Sequence, residues 1–187
     1  PKSLFIAPIL SIFTKVFFVV HIDADFFITS RYRKIFFKLL LKLSKAKILV
    51  MSKENITKLK KYGISSSALK FVRPPLFFKN LPKIKSIKDR KYDLIFYGRM
   101  ANQKDPIKFL RICEKVNLVY KNLNVCIVGD GPLSNLVDAY IPSCKFNISR
   151  YTFVTRDIGF SLLQDSRLFC MTSSHEGLGF TLIEAAF

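Results

Sequence analysis

Three times in its second half the chain runs from a short, buried-type strand straight into a polar, glycine-bearing turn. Asp93 to Tyr97 (DLIFY) enters Gly98-Arg99, and Asn124 to Val128 (NVCIV) enters Gly129-Asp130-Gly131-Pro132. Arg167 to Thr172 (RLFCMT) enters Ser173 to Gly179. Helical patterns follow, at Pro106 to Val116, Ser134 to Tyr140 and a run opening after Gly179. A further helix is expected at Ile158 to Gln164. Strands that alternate with helices must run parallel, because each return needs a crossover, and the helices then cover both sheet faces. Ligands of such sheets lie at the carboxyl ends of the strands. All three turns are therefore expected to line one crevice.

The first half reads the same way. A strand over Val16 to Ile22 precedes a helix from about Arg31 to Ser44. A strand at Lys47 to Met51 leads to a helix from Lys53 to Tyr62, with Ser52 as its N-cap. A strand-like Leu69 to Arg73 ends at Pro74-Pro75. Residues 81–91 are polar and basic, contain Pro82, and read as a linker. Residues 145–154 show no clear period. The expected class is α/β, with one unit over 1–80 and a second over 92–187.

The turns carry chemistry. Arg99 offers a planar fork and Lys104 a point charge, a pairing suited to a diphosphate. Gly177 and Gly179 let a ligand approach backbone N–H groups where a helix begins, and that end favours anions. Glu176 stands just before these glycines and Glu184 one or two turns into the helix. Carboxylates there suit hydroxyls or a developing positive charge. A phosphorylated sugar presents all of these groups side by side. His175 is expected only to shape the turn.

The residues Glu176 to Glu184 (EGLGFTLIE) resemble the Glu-x7-Glu signature of retaining GT-B glycosyltransferases of family 4. Gly98-Arg99-x4-Lys104 resembles that family's G-R-x4-K loop, and Val128 to Pro132 (VGDGP) its glycine turn. The three occur in family order. The resemblance implies a GT-B fold of two Rossmann-like domains with parallel sheets, both incomplete here, and transfer of a sugar from a nucleotide-diphosphate sugar with retention. It implies that Arg99 and Lys104 hold the donor diphosphate and stabilise the leaving nucleotide. Gly98, Gly177, Leu178, Gly179 and Phe180 would line the donor site, and Glu184 would take the ribose hydroxyls. Glu176 would lie near the donor sugar. His21, at a strand end, matches a family histidine near the reacting centre. No cofactor or essential metal is implied, and no metal-ligand spacing is visible. The acceptor would be a glycan or a lipid-linked molecule, in cell-envelope polysaccharide or glycolipid synthesis. Residues 71–76 (FVRPPL) and 146–160 depart from the family pattern.

Charge divides the chain. Residues 1–91 hold 21 Lys/Arg against 4 Asp/Glu, and residues 92–187 hold 10 against 9. Lys34, Lys38, Lys42 and Lys45 recur at helical spacing, so residues 31–61 are expected to face an anionic membrane surface. A nucleic-acid-binding protein is the competing reading of such charge. It requires aromatics interleaved with exposed cations, whereas the phenylalanines here cluster in apolar runs. No nucleic-acid partner is therefore expected. Leu4 to Val20 is short for a membrane span and contains Pro8. Cys113, Cys126, Cys144 and Cys170 form no C-x-x-C pair. That fits a reduced, cytoplasmic setting, with peripheral attachment to the cytosolic face of a membrane. The missing initiator Met and the end inside a helix suggest a fragment, and an inactive membrane-associated remnant of the fold is the third reading.

Overall fold

The computed structural model describes residues 17–20, 35, 38–39, 47–73, 84–176 and 179–186. Contacts divide the chain into two compact units, residues 1–76 with 176–178 and residues 77–175 with 179–187.

The first unit holds a parallel sheet of β1 (Phe17–Val20), β2 (Lys47–Val50) and β3 (Leu69–Phe71), in that order. Phe17 stands opposite Lys47, and Ile48 opposite Leu69. Ile48 and Val50 of the central strand are wholly buried. The crossover from β2 to β3 is α1 (Lys53–Lys61). Its N-cap is Ser52, as the sequence implied, with the hydroxyl accepting from the Asn55 amide at 3.4 Å. Leu59 and Asn55 face inward, while Lys53, Lys60 and Lys61 are exposed. Of the expected lysine stripe, only Lys38 lies among the described residues. It is helical and half-buried.

The second unit is built on β4 (Tyr92–Tyr97), β5 (Asn124–Val128), β6 (Asn147–Tyr151) and β7 (Ser166–Phe169). All described pairings are parallel, and the strand order is β6-β5-β4-β7. The helices are α2 (Pro106–Val119), α3 (Ser134–Tyr140), α4 (Arg156–Gln164) and α5 (Phe180–Ala185). Successive residues of a strand point to opposite faces, and that alternation sorts the core. Leu94, Phe96, Val125 and Ile127 pack with Phe109, Leu110, Cys113 and Val137, so α2 and α3 cover one face. Ile95, Cys126 and Val128 pack with Phe160, Leu162, Leu163 and Ala185, so α4 and α5 cover the other. Cys126 fills its place as a small apolar side chain, and burial pushes its thiol up to about 12. All four cysteines are free.

Several elements differ from the sequence expectation: α2 runs on to Val119 rather than Val116, and β3 stops at Phe71 rather than Arg73. β6 fills the stretch that showed no period. α4 starts at Arg156 rather than Ile158. β7 ends at Phe169 rather than Thr172, because residues 172–174 leave the ladder to bond a neighbouring loop. Residues 85–90 of the basic segment are fastened to the second unit. Lys85 pairs with Asp165, the Arg90 guanidinium donates to the Ser166 carbonyl at 3.0 Å, and Arg167 donates to the Ile87 carbonyl at 3.3 Å. Among the described residues no helix is long and apolar enough to cross a membrane.

Candidate active site

The strand order creates the site. From β4 the chain steps outward to β5 and β6, then returns past β4 to place β7 on its other side. The turn after β4 leads to α2 on one face, and the turn after β7 leads to α5 on the other. Loops that part in this way leave a crevice beyond the strand ends. A small cleft opens there, lined by Phe96, Tyr97, Lys104, Thr172, Ser173 and Thr181 among others.

Two glycines fix the turn after β5. A Cβ at Gly129 (φ 132°) would overlap the Gly98 carbonyl oxygen, and one at Gly131 would meet the Met100 carbonyl oxygen at 2.6 Å. The β4 and β5 turns can therefore lie against each other, joined by Gly98 N–H to Val128 O and Met100 N–H to Asp130 O, both at 3.0 Å. The Asp130 carboxylate accepts from the Ser134 hydroxyl and from the Gly131 amide at 2.8 Å, which holds it below the usual carboxylate range. At Gly98 itself a Cβ would meet only Lys104 methylenes, the nearest at 3.7 Å, so packing does not demand glycine there.

The turns after β4 and β7 are laced together as well. The Thr172 hydroxyl lies 2.8 Å from the Lys104 carbonyl and 2.9 Å from that of Asp105. The Ser174 amide donates to the Gln103 carbonyl at 2.9 Å, and the Gln103 side chain donates to the His175 carbonyl at 2.7 Å. The Ser174 hydroxyl is 3.0 Å from Nδ1 of His175. His175 thus serves the turn, as expected. Asp105, at φ 48°, caps α2 by accepting the Lys108 amide at 3.0 Å.

Arg99 is exposed in the turn after β4, and Lys104 is half-buried in the cleft wall. Gly179 is the left-handed cap of α5 (φ 66°), followed by Phe180, which is 39% exposed. Glu184, in the last turn of α5, is half-buried. Burial raises its carboxyl above the ordinary range, and Arg156 opposes that rise. The two side chains stand 3.8 Å apart. Tyr97, the last residue of β4, senses both: burial and the Glu184 charge raise its phenol, while Arg156 lowers it. Gly159 of α4 gives Tyr97 its place, since a Cβ there would overlap the phenol oxygen. Glu176 is half-buried and groups with the first unit. His21, Gly177 and Leu178 lie outside the described residues.

Sequence reading missed Gln103, Thr172, Arg150 and Arg156. Arg150 of β6 donates to the carbonyls of Gly129 and Tyr151 at 2.7 and 2.6 Å and pairs with Asp138 at 3.0 Å, which holds the β5 turn from below. Apart from the Tyr151 carbonyl next to Arg150, the hydrogen-bond and ion-pair partners lie 12 to 72 residues away, so no local pattern marks them. Among the described residues no group of three His, Cys, Asp or Glu side chains could hold a metal ion.

This architecture has relatives. The family model for glycosyl transferases group 1 matches residues 77–186. The 2-deoxystreptamine N-acetyl-D-glucosaminyltransferase of Niallia circulans is 30% identical over 98 residues, covering 51% of this chain and 25% of that protein. An uncharacterized glycosyltransferase of Methanocaldococcus jannaschii is 32% identical over 88 residues, 47% of this chain and 22% of that one. The chain therefore spans about a quarter of the length of these curated relatives. Among solved structures, Anabaena HepE in complex with UDP superposes with a TM-score of 0.74 at 15% identity, covering 98% of this chain and 54% of its own. A mutant of S. aureus TarM, in complex with fondaparinux, α-GlcNAc-glycerol and UDP, gives 0.73 at 17%, covering 91% and 34%. The shared fold is that of GT-B glycosyltransferases. With a family model spanning more than half of its length, the chain belongs to the glycosyl transferases group 1 family.

Proposed function

We propose that the protein acts in glycosyl transfer from a nucleotide-diphosphate sugar, as a retaining, family 4 hexosyltransferase. The observation that carries this reading is the cleft at the β4–β7 switch point, where the β4 and β7 turns are laced together with Lys104 in the wall and the β5 turn is fastened against the β4 turn. In the proposed reaction the bond between the sugar's anomeric carbon and the diphosphate oxygen breaks, and the electron pair leaves with the nucleotide. Arg99 and Lys104 face the negative charge that develops, the kind of preset electrostatic stabilisation that dominates many enzyme rates. The Gly177–Phe180 turn holds phosphate or sugar, Glu184 the ribose hydroxyls, and Glu176 and His21 the donor sugar. The acceptor hydroxyl attacks from the face that the nucleotide leaves and passes its proton to the departing diphosphate oxygen, so configuration is retained.

Complexes of HepE, TarM and pneumococcal GtfA with UDP support uridine nucleotides as the first donors to try. The proposed acceptor is a glycan or lipid-linked molecule of the cell envelope, reached at the cytosolic face of a membrane with the help of the basic residues in the segment 31–61. No essential metal takes part in this proposal. The test incubates the protein with UDP-sugars and candidate acceptors in EDTA, following nucleotide release and the anomeric configuration of the product by NMR. Release that stops in Lys104→Ala, with a product of unchanged configuration, is expected. An inverted product would refute retention, and release unaffected by Lys104→Ala would refute the site.

A further inference from the structure

Arg156 is out of place by helix electrostatics. It is the first residue of α4, where the helix dipole favours acidic side chains and disfavours basic ones. The cap beneath it is weak, because Thr155 makes no side-chain hydrogen bond. The side chain is nonetheless held in one direction. Its guanidinium lies over the Phe160 ring, 5.2 Å from the centroid and one helical turn on. That places Nη2 3.8 Å from Oε1 of Glu184. Arg156 is half exposed and Glu184 only 23% exposed, so the cation approaches the carboxylate from the solvent side. Tyr97 feels both charges. Arg90 and Gln164 line a second small cavity together with Glu184. Arg90 is engaged with the carbonyls of Lys85 and Ser166.

The geometry points to Arg156 as a positioning residue: its guanidinium stands beside Oε1 of Glu184 and orients the carboxylate, so that the other oxygen accepts hydroxyls of a nucleotide ribose. This rests on the donor-site reading above. Arg156 itself does not touch the reacting atoms. Its contribution is to ribose recognition, and its loss should show there before it shows in stability.

The experiment is calorimetric titration of the whole chain with UDP, GDP, ADP and CDP, then of the tightest binder against its 2′,3′-dideoxy form. A hydrogen bond to a charged group is worth enough to give roughly a ten- to hundredfold preference for the ribose form. In Arg156→Gln the preference should shrink to within about threefold of unity by the same reasoning. The preference should also fade at a higher pH as the solution is acidified, because Glu184 then takes up its proton more readily. Arg156→Lys keeps the charge but not the fork, so it should retain the wild-type pH profile with a reduced preference. An unchanged preference and pH profile in Arg156→Gln overturns the proposal, even though nucleotide binding stands. If that variant fails to fold, an unchanged preference in Arg156→Lys overturns it. A wild-type chain that binds with no ribose preference also overturns it, and one that binds no nucleotide refutes the donor-site reading together with it.

Discussion

Thr172→Val is the sharpest test of how the site is built. Thr172 is 6% exposed, and its hydroxyl reaches two backbone carbonyls, Lys104 at 2.8 Å and Asp105 at 2.9 Å. One proton serves both, so the pair counts as about one bond. A net bond is worth roughly 1 kcal/mol, and withdrawing the donor from buried carbonyls adds a desolvation term of up to about 2 kcal/mol. The Asp105 carbonyl also takes the Phe109 amide at 3.3 Å, which softens its share. Valine fills nearly the same volume, so little cavity term arises. A loss of about 1–2 kcal/mol follows, or roughly 2–8 °C in midpoint for a chain of this size. The chain has no tryptophan, so far-UV circular dichroism in urea is the assay. The variant should keep its m-value and lose stability, and its affinity for nucleotide should fall because the Lys104 backbone is no longer pinned. Thr172→Ser, which keeps the donor, should lose only the ~0.8 kcal/mol of one buried methyl. A Thr172→Val protein as stable as the wild type would refute the claim that this hydroxyl holds the two turns together.

Two further outcomes follow from geometry. Gly129→Ala should cost more than about 2 kcal/mol in the same unfolding assay, since its Cβ overlaps backbone rather than a flexible side chain. Glu184→Gln should raise the midpoint at pH 8. An acid whose folded pKa lies above its unfolded value favours folding below the unfolded value, and that contribution is lost as pH rises through the folded one. The advantage of glutamine should therefore close as the pH falls below the ordinary carboxylate range. Midpoints of both proteins from pH 3.5 to 8 check this, and a glutamine variant less stable at pH 8 contradicts it.

Much of the second unit was legible because β4 and β5 are central parallel strands buried on both faces, which read as unbroken apolar runs. Their ends were sharp because Gly98, Gly129 and Gly131 follow at once. β6 was not legible: it is an edge strand of sequence Asn-Ile-Ser-Arg-Tyr, and its Arg150 serves carbonyls rather than a core. β7 is shorter than its apolar run because Thr172 and Ser174 have better partners in the neighbouring turn than in the ladder. The start of α4 was misplaced because the apolar period begins at Ile158, two residues after the backbone turns helical. Of the candidate site, Arg99, Lys104 and Glu184 were named from motif spacing, and the structure sets Lys104 in the cleft wall and Glu184 beside Arg156. Gln103, Thr172 and Arg156 were not named, because their roles come from partners 28 to 72 residues away. Separations of that kind are set by topology and leave no local signature.

The most direct measurement is a thermal-shift titration with UDP, GDP, ADP and CMP, comparing the wild-type chain with Arg99→Ala/Lys104→Ala. A ligand that binds only the folded state raises its midpoint by mass action, by about 2.7 kcal/mol of stabilisation at a hundred times its Kd. Saturable stabilisation by one nucleoside diphosphate, absent in the double variant, is the predicted result. A folded wild-type chain whose midpoint moves with none of them, or moves equally in the double variant, would contradict the nucleotide-sugar site at its centre.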